Sequence, residues 1–213
     1  MESPDRSISQ EAIDRCADLP ILDAEGSPKP FKSLYTDSKN ERHLIVFIRH
    51  FFCGVRVSPF TQTPHCQEYV RALAEFLPPS TLSSLALPAK LTVIGHGDAS
   101  LIPTYIAQTS CPFAVYADPT RKLYDAQGMT SNLGMGDKDP DYIRRGFLKV
   151  LTTSFWGELM AGRKALSGGN WSQNGGEEIL DGEGKLVWGR KMLNTRDHAE
   201  IKELKEVLGM HET

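Results

Sequence analysis

The stretch His43-Leu-Ile-Val-Phe-Ile-Arg49 decides the fold of this chain. It is an almost unbroken apolar run rich in β-branched residues, which is typical of a strand buried on both faces in the middle of a mixed or parallel sheet. Similar runs occur at Ala89–Gly95 and at Phe113–Ala117. Helical patterns separate them, so the sequence predicts strands and helices in alternation.

The segment after the strand His43–Arg49 predicts a helix over residues 66–77, with Thr63 as its N-cap and Pro64 as its first helical residue. Further helices are predicted over residues 99–109 and 119–127 by the same criteria. Near the C-terminus, Asp181-Gly-Glu-Gly184 lies between two short apolar runs and predicts a β-hairpin. An amphipathic segment over residues 197–208 predicts the last helix.

The expected architecture is therefore α/β, with a mixed central sheet and a C-terminal β-hairpin plus helix. No break in composition divides the 213 residues, so we expect one domain over residues 1–213. Within it, residues 1–18 are expected to be an N-terminal extension. Residues 129–176 are expected to be a helical and loop insertion, with a helix near 140–164 and a glycine-rich loop after it.

The charges of the chain exclude several classes of partner. Its 24 basic and 27 acidic residues are interspersed and give a formal net charge of −3, which provides no basic surface for nucleic acid. The N-terminus is polar, and no run approaches the roughly 20 apolar residues that span a bilayer. We therefore expect a cytoplasmic protein with no nucleic-acid or membrane partner.

Four cysteines, at positions 16, 53, 66 and 111, are too few for a disulfide-stapled secreted scaffold. Cys53 and Cys66 lie between the predicted strand His43–Arg49 and the start of the predicted helix over residues 66–77. A thiol at a helix N-terminus is favoured as thiolate by the free backbone amides, and Arg49 and His50 could add positive charge. Cys16 and Cys111 have no such surroundings and are predicted to be small buried residues.

These residues carry a family resemblance. Arg49-His-Phe-Phe-Cys-Gly54 together with Cys66-Gln-Glu-Tyr-Val70 resembles the active-site region of the peroxiredoxin-like antioxidant family of the AhpC/TSA type, which has a thioredoxin fold. Cys111–Pro119, Leu123–Gly128 and the segment ending in Asn194-Thr-Arg-Asp-His198 are also similar to that family. The resemblance covers roughly residues 19 to 209.

The resemblance implies a thioredoxin-like sandwich and a thiol-dependent oxidoreductase that reduces peroxides. The expected substrate is a small-molecule oxidant or metabolite, and an external thiol reductant restores the enzyme. In this reading Cys53 attacks, Cys66 resolves, and Arg49 and His50 are supporting groups. No metal or organic cofactor is required.

The spacing of the two cysteines departs from the family pattern. The family places two residues between them, whereas this chain has twelve, as though residues 55–64 were an insert. A disulfide needs its Cα atoms about 4.4 to 6.8 Å apart, which this separation permits but does not enforce.

In addition, Pro59, Thr63 and Cys66 have the spacing of the peroxide-attacking motif of true peroxiredoxins, in which Cys66 would be the attacking thiol and Thr63 a supporting residue.

Other interpretations of the same residues stay open. The chain could be a redox-inactive thioredoxin-fold binding or accessory protein, acting in small-molecule metabolism, or residues 55–64 could come from a mistaken gene model. His50, Cys53, His65 and Cys66 are residue types that bind zinc, although adjacent ligands depart from the usual spacing. Arg196-Asp-His198 fits an acid/base pair or, more simply, a helix start capped by Asp197.

Overall fold

The computed structural model describes residues 5–36, 40–51, 65–134, 136, 140–142, 170 and 172–210. The strands within these ranges are β1 (Pro20–Leu22), β2 (Pro28–Pro30), β3 (Arg42–Ile48), β4 (Ala89–Gly95), β5 (Ala114–Ala117), β6 (Gly176–Leu180) and β7 (Leu186–Lys191). The α-helices are α1 (Gln10–Cys16), α2 (His65–Phe76), α3 (Pro79–Ser83), α4 (Ile102–Thr109), α5 (Lys122–Ala126) and α6 (Ile201–Val207). Two 3₁₀ helices cover Phe31–Leu34 and Ala99–Leu101.

The seven strands form one mixed sheet in the order β2-β1-β5-β4-β3-β6-β7. Strands β3, β4 and β5 are parallel, as the alternation of strands and helices predicts. Strand β6 then pairs antiparallel with β3, and β7 closes the hairpin on β6. At the other edge β1 runs antiparallel to β2 and β5. The prediction of an α/β fold with a mixed central sheet and a C-terminal hairpin is confirmed.

Strand β3 lies inside the sheet because both of its faces carry apolar side chains. Leu44, Val46 and Ile48 belong to the core on the side of α2, α4 and α6. Ile45 and Phe47 belong to a second core on the side of α1 and α5. Helices on both faces therefore account for the unbroken apolar run in the sequence.

Strand β6 carries two adjacent carboxylates into these two cores. Successive residues of a strand point to opposite faces, so Glu177 and Glu178 lie on different sides of the sheet. The strand can lie this close to β3 because Gly175 precedes it. A Cβ atom at that position would stand 1.7 Å from the carbonyl oxygen of Phe47, so only glycine fits.

The predicted element bounds differ from the observed ones mainly at helix starts. Strand β4 is found over the predicted residues, and β3 and β5 differ by one residue. The last helix begins at Ile201 and not at Asp197, which corrects the predicted start. The predicted helix near 140–164 and the insert at 55–64 lie almost entirely outside the described residues. Across the described ranges, no helix is long and apolar enough to cross a membrane.

Candidate active site

Cys66 is the second residue of α2, the helix that packs beside β3. Its side chain is fully buried, with 0% of its surface exposed. The backbone amides of the first helical turn have no partners within the helix and give this end a partial positive charge. Cys66 therefore lies in the first turn of the helix that follows the central strand, whereas the predicted N-cap Thr63 and first helical residue Pro64 lie outside the described residues.

The sulfur of Cys66 faces a histidine that lies far away in the sequence. Nε2 of His198 is 3.4 Å from Sγ of Cys66, across a separation of 132 residues. His198 is itself buried, with 2% of its surface exposed, and lies in the segment between β7 and α6. A histidine at this distance can share a proton with the thiol.

Glu177 of β6 holds the other side of the imidazole. Its Oε1 is 2.5 Å from Nδ1 of His198, and its Oε2 accepts the backbone N–H of Ala199 at 3.2 Å. The carboxylate is fully buried, so its hydrogen bonds replace the water that it loses. Glu177 thus fixes both the ring of His198 and the backbone that follows it.

Two tyrosines enclose the imidazole. The ring of Tyr69 is stacked on His198, with centroids 4.2 Å apart and an interplanar angle of 12°. Tyr142 lies 4.9 Å from Tyr69, and its hydroxyl donates a hydrogen bond to the carbonyl of Arg196 at 3.1 Å. Burial, reinforced by the carboxylate of Glu177, raises the pKa of Tyr69 well above its ordinary value. Tyr69 therefore stays protonated.

Carboxylate, imidazole and thiol form a linear series. Each ring nitrogen of His198 faces a different partner, so the three donors do not converge on one point as metal ligands would. In the described parts of the chain, no group of three His, Cys, Asp or Glu side chains could hold a metal ion. The geometry is that of a nucleophile, a base and a group that orients the base.

Arg49 and His50 follow β3 at the carboxyl end of the sheet, where loops of α/β proteins form sites. Nε of Arg49 donates a hydrogen bond to the carbonyl of Gln173 at 3.1 Å. Burial, with Arg49 and His96 nearby, lowers the pKa of His50 to about 3. The imidazole of His50 is therefore neutral at physiological pH, and the expectation that it supplies positive charge is corrected.

The remaining residues predicted for the site lie outside the described residues. These are Cys53, Thr63 and the side chain of His65. The distance between the two cysteines, the peroxide-motif interpretation of Thr63 and the zinc alternative therefore remain predictions.

The structure assigns Asp197 a role other than the predicted helix cap. Its carboxylate accepts hydrogen bonds from Arg190 at 2.9 Å, from Arg6 at 2.6 Å and from the backbone N–H of Leu193 at 2.8 Å. The residue at the N-cap position of α6 is Glu200, whose side chain makes no capping hydrogen bond. The acid/base pair predicted within this trio is not formed by Asp197 either, because the carboxylate that contacts His198 is that of Glu177.

Sequence reasoning did not select Glu177. One signal was available: Glu177 and Glu178 stand side by side in a short strand whose pattern predicts burial, and a buried carboxylate requires a partner. Nothing local indicates that His198 is that partner, since 21 residues separate it from Glu177. The contact arises only when α6 and the segment before it fold back over α2.

Solved structures with a similar fold include peroxiredoxins. A peroxiredoxin-like protein from Aquifex aeolicus aligns with a TM-score of 0.53 at 12% identity, covering 90% of this chain and 82% of that one. The peroxidoxin BcpB from Mycobacterium tuberculosis aligns with a TM-score of 0.50 at 11% identity, covering 96% and 95%. The thioredoxin-like fold predicted from the resemblance is confirmed.

Curated relatives extend the similarity over most of the chain. Human peroxiredoxin-like 2C is 29% identical over 196 residues, which are 91% of this chain and 79% of the relative. The chloroplastic thioredoxin-like protein AAED1 of Arabidopsis thaliana is 24% identical over 202 residues, or 92% and 73% of the two chains. A model of the AhpC/TSA antioxidant enzyme family matches residues 77–194. The chain therefore belongs to the AhpC/TSA antioxidant enzyme family.

Proposed function

We propose that this protein is a thiol-dependent oxidoreductase that reduces peroxides through Cys53 and Cys66. The observation that carries the proposal is the position of Cys66 at the start of α2, with Nε2 of His198 3.4 Å from its sulfur. A thiol in this setting has both a positive helix end and a base beside it, which are the conditions that favour thiolate. Family membership agrees with thiol chemistry of this type.

The proposed cycle has three steps. The thiolate of Cys53 attacks one oxygen of the peroxide, the O–O bond breaks, and Cys53 becomes a sulfenic acid while an alcohol or water leaves. The sulfur of Cys66 then attacks the sulfenic sulfur, a disulfide forms, and water leaves. An external dithiol reduces the disulfide by exchange and restores both thiols.

The proposed supporting residues are Arg49, Thr63 and His50, and only His50 has a different role from the one expected from the sequence. Arg49 supplies the positive charge near the reacting cysteine, and Thr63 supplies a hydroxyl for the bound peroxide. His50 takes part as a neutral hydrogen-bonding group. Reduction by an external thiol agrees with the expected cytoplasmic location, where thiols are kept reduced.

Peroxide consumption by the purified protein tests this function. With dithiothreitol as the reductant, the wild type should consume hydrogen peroxide catalytically, and Cys53→Ser should lose at least about a hundredfold of the rate. Cys66→Ser should accumulate a sulfenic acid at Cys53 that dimedone traps. The matched control is Cys111→Ala, which removes a buried thiol far from His198 in the sequence and should keep the wild-type rate.

Two outcomes would contradict the proposal. If Cys66→Ser loses the sulfenic acid while Cys53→Ser retains it, Cys66 is the attacking thiol and the assigned roles are reversed. If mild oxidation of the wild type causes no reversible loss of two thiols, the protein is the redox-inactive binding or accessory protein that the sequence also allowed.

A further inference from the structure

Cys66, His198 and Glu177 come from distant parts of the chain and are joined in series, with His198 between the other two. We infer that His198 is the base that takes the proton of Cys66 and later the acid that gives it up. Glu177 is the positioning residue that turns the acceptor nitrogen of His198 toward the thiol. The inference rests on the proposed function for the identity of the reaction. The acid/base pairing itself depends only on described residues.

The carboxylate of Glu177 determines which ring nitrogen faces the thiol as an acceptor. With Glu177 as the acceptor of this contact, the Nδ1 atom 2.5 Å from Oε1 carries the proton. In the neutral imidazole the other nitrogen, Nε2, then has a free lone pair. That lone pair is directed to the sulfur of Cys66 at 3.4 Å. The thiol proton therefore has an acceptor in place.

The ring cannot easily turn away from this position. Oε2 of Glu177 accepts the backbone N–H of Ala199, so the same carboxylate binds both the imidazole and the residue that follows it. Tyr69 stacks on the ring face and lies one helical turn after Cys66 on α2. The helix that positions the thiol thus also positions the aromatic ring that supports the imidazole.

The proton balance of the step is simple. The S–H proton of Cys66 passes to Nε2 of His198, which gives a thiolate beside an imidazolium whose charge Glu177 compensates. When the thiolate attacks the sulfenic sulfur of its partner, the S–S bond forms and the S–O bond breaks. The leaving hydroxide takes the proton from Nε2 and departs as water. His198 returns to the neutral state, ready for the next cycle.

The other ionisable groups near the pair do not compete for this proton. Burial raises the pKa values of Tyr69 on α2, of Tyr142 in the segment after α5 and of Tyr124 on α5, so all three keep their protons. Arg190 on β7 is a permanent cation whose charge interacts with Glu177. Glu200, next to α6, interacts with Tyr142 and is partly exposed. The mobile proton therefore lies between the sulfur and Nε2.

The test measures the reactivity of Cys66 itself, without peroxide turnover. Alkylation by iodoacetamide is followed from pH 5 to pH 10 by mass spectrometry of the Cys66 peptide. Because the thiol is fully buried, the shape of each pH profile is compared and not its absolute rate. The wild-type rate should fall least toward pH 6. His198→Gln should lose about a hundredfold at pH 7 and recover as pH rises, and Glu177→Gln should shift the profile in the same direction by less. The matched control is His96→Gln, which removes a buried histidine whose Nδ1 faces the carbonyl of Asp118.

An unchanged pH profile in His198→Gln overturns the inference, whatever the peroxidase activity. A normal histidine-dependent profile in a protein that consumes no peroxide leaves the inference standing and refutes the proposed function alone. If the variants do not fold, as judged by circular dichroism, nitrogen-15 NMR of the wild-type imidazole decides. A neutral ring protonated at Nε2 overturns the inference, whereas protonation at Nδ1, with or without Nε2, supports it.

Discussion

At the scale of single residues, the three described cysteines differ in the group that faces the sulfur. The thiols of Cys16 and Cys111 donate weakly to the carbonyls of Leu123 and Phe113, at 3.9 and 3.8 Å. Burial raises the pKa of Cys16 to about 12 and that of Cys111 to about 11. Both are small buried residues, as predicted, and only Cys66 of the three faces an imidazole.

We expect Cys16 and Cys111 to be inert in the folded protein. At pH 8, a thiol with a pKa of about 11 is ionised in roughly one molecule in a thousand, and alkylation requires the thiolate. Native labelling with iodoacetamide, read out by peptide mass spectrometry, should modify both far more slowly than Cys66, and because all three thiols are buried the difference reports ionisation and not access. In urea the three rates should converge. Equal rates in the native protein would show that their surroundings do not control reactivity.

At the scale of elements, sequence patterns located the strands and missed the contact that forms the site. The apolar run of β3 predicted its central position, because only a strand covered on both faces has this pattern. The thiol of Cys66 could be selected because it lies next to that strand. His198 could not, because its function depends on how the segment between β7 and α6 packs over α2. One of the hydrogen bonds that hold this segment, from Arg6 to Asp197, likewise joins residues that are distant in sequence.

Asp197→Asn tests whether this segment positions His198. The substitution keeps an acceptor for the N–H of Leu193 and removes the charge that faces Arg190 and Arg6. Because the side chain of Asp197 is mostly buried, we expect unfolding in urea to show a loss of about 2 kcal/mol. We also expect slower alkylation of Cys66 at pH 7.

The matched control for Asp197 is Glu203→Gln. Glu203 also pairs with Arg190, at 2.7 Å, but it lies on α6 and is more exposed, so its loss should cost less than about 1 kcal/mol. It should leave the alkylation rate of Cys66 unchanged. Equal effects of the two substitutions on Cys66 would mean that the ion pairs stabilise the fold without positioning the histidine.

At the scale of the whole molecule, the sheet separates two cores, and each contains one buried carboxylate with different hydrogen bonding. On the side of α2 and α6, Glu177 has His198 and Ala199 as partners. On the side of α1 and α5, neither carboxylate oxygen of Glu178 makes a hydrogen bond of normal geometry among the described residues, and the nearby side chain of Gln127 offsets only part of the cost of burial. Burial accordingly raises the pKa of Glu178 to about 8, so the folded protein holds this residue as a neutral acid at pH 7.

The buried acid makes the stability of the whole protein depend on pH in a predictable direction. The unfolded chain releases this proton near the ordinary pKa of 4.5, whereas the folded chain keeps it until about pH 8. Between these values the folded state binds more protons, so its stability falls as pH rises, by about 1.4 kcal/mol per pH unit. Above pH 8 this contribution levels off.

Glu178→Gln should remove this dependence, because glutamine keeps the shape and has no proton to lose. We expect the variant to exceed the wild type in stability at pH 8, by an amount that shrinks toward pH 5, in urea unfolding measured over that range. The difference between the two curves isolates Glu178, since every other titrating group contributes to both. Glu183→Gln, on the exposed hairpin turn, should give a curve parallel to that of the wild type. Parallel curves for Glu178→Gln as well would mean that the carboxylate is already ionised inside the folded protein.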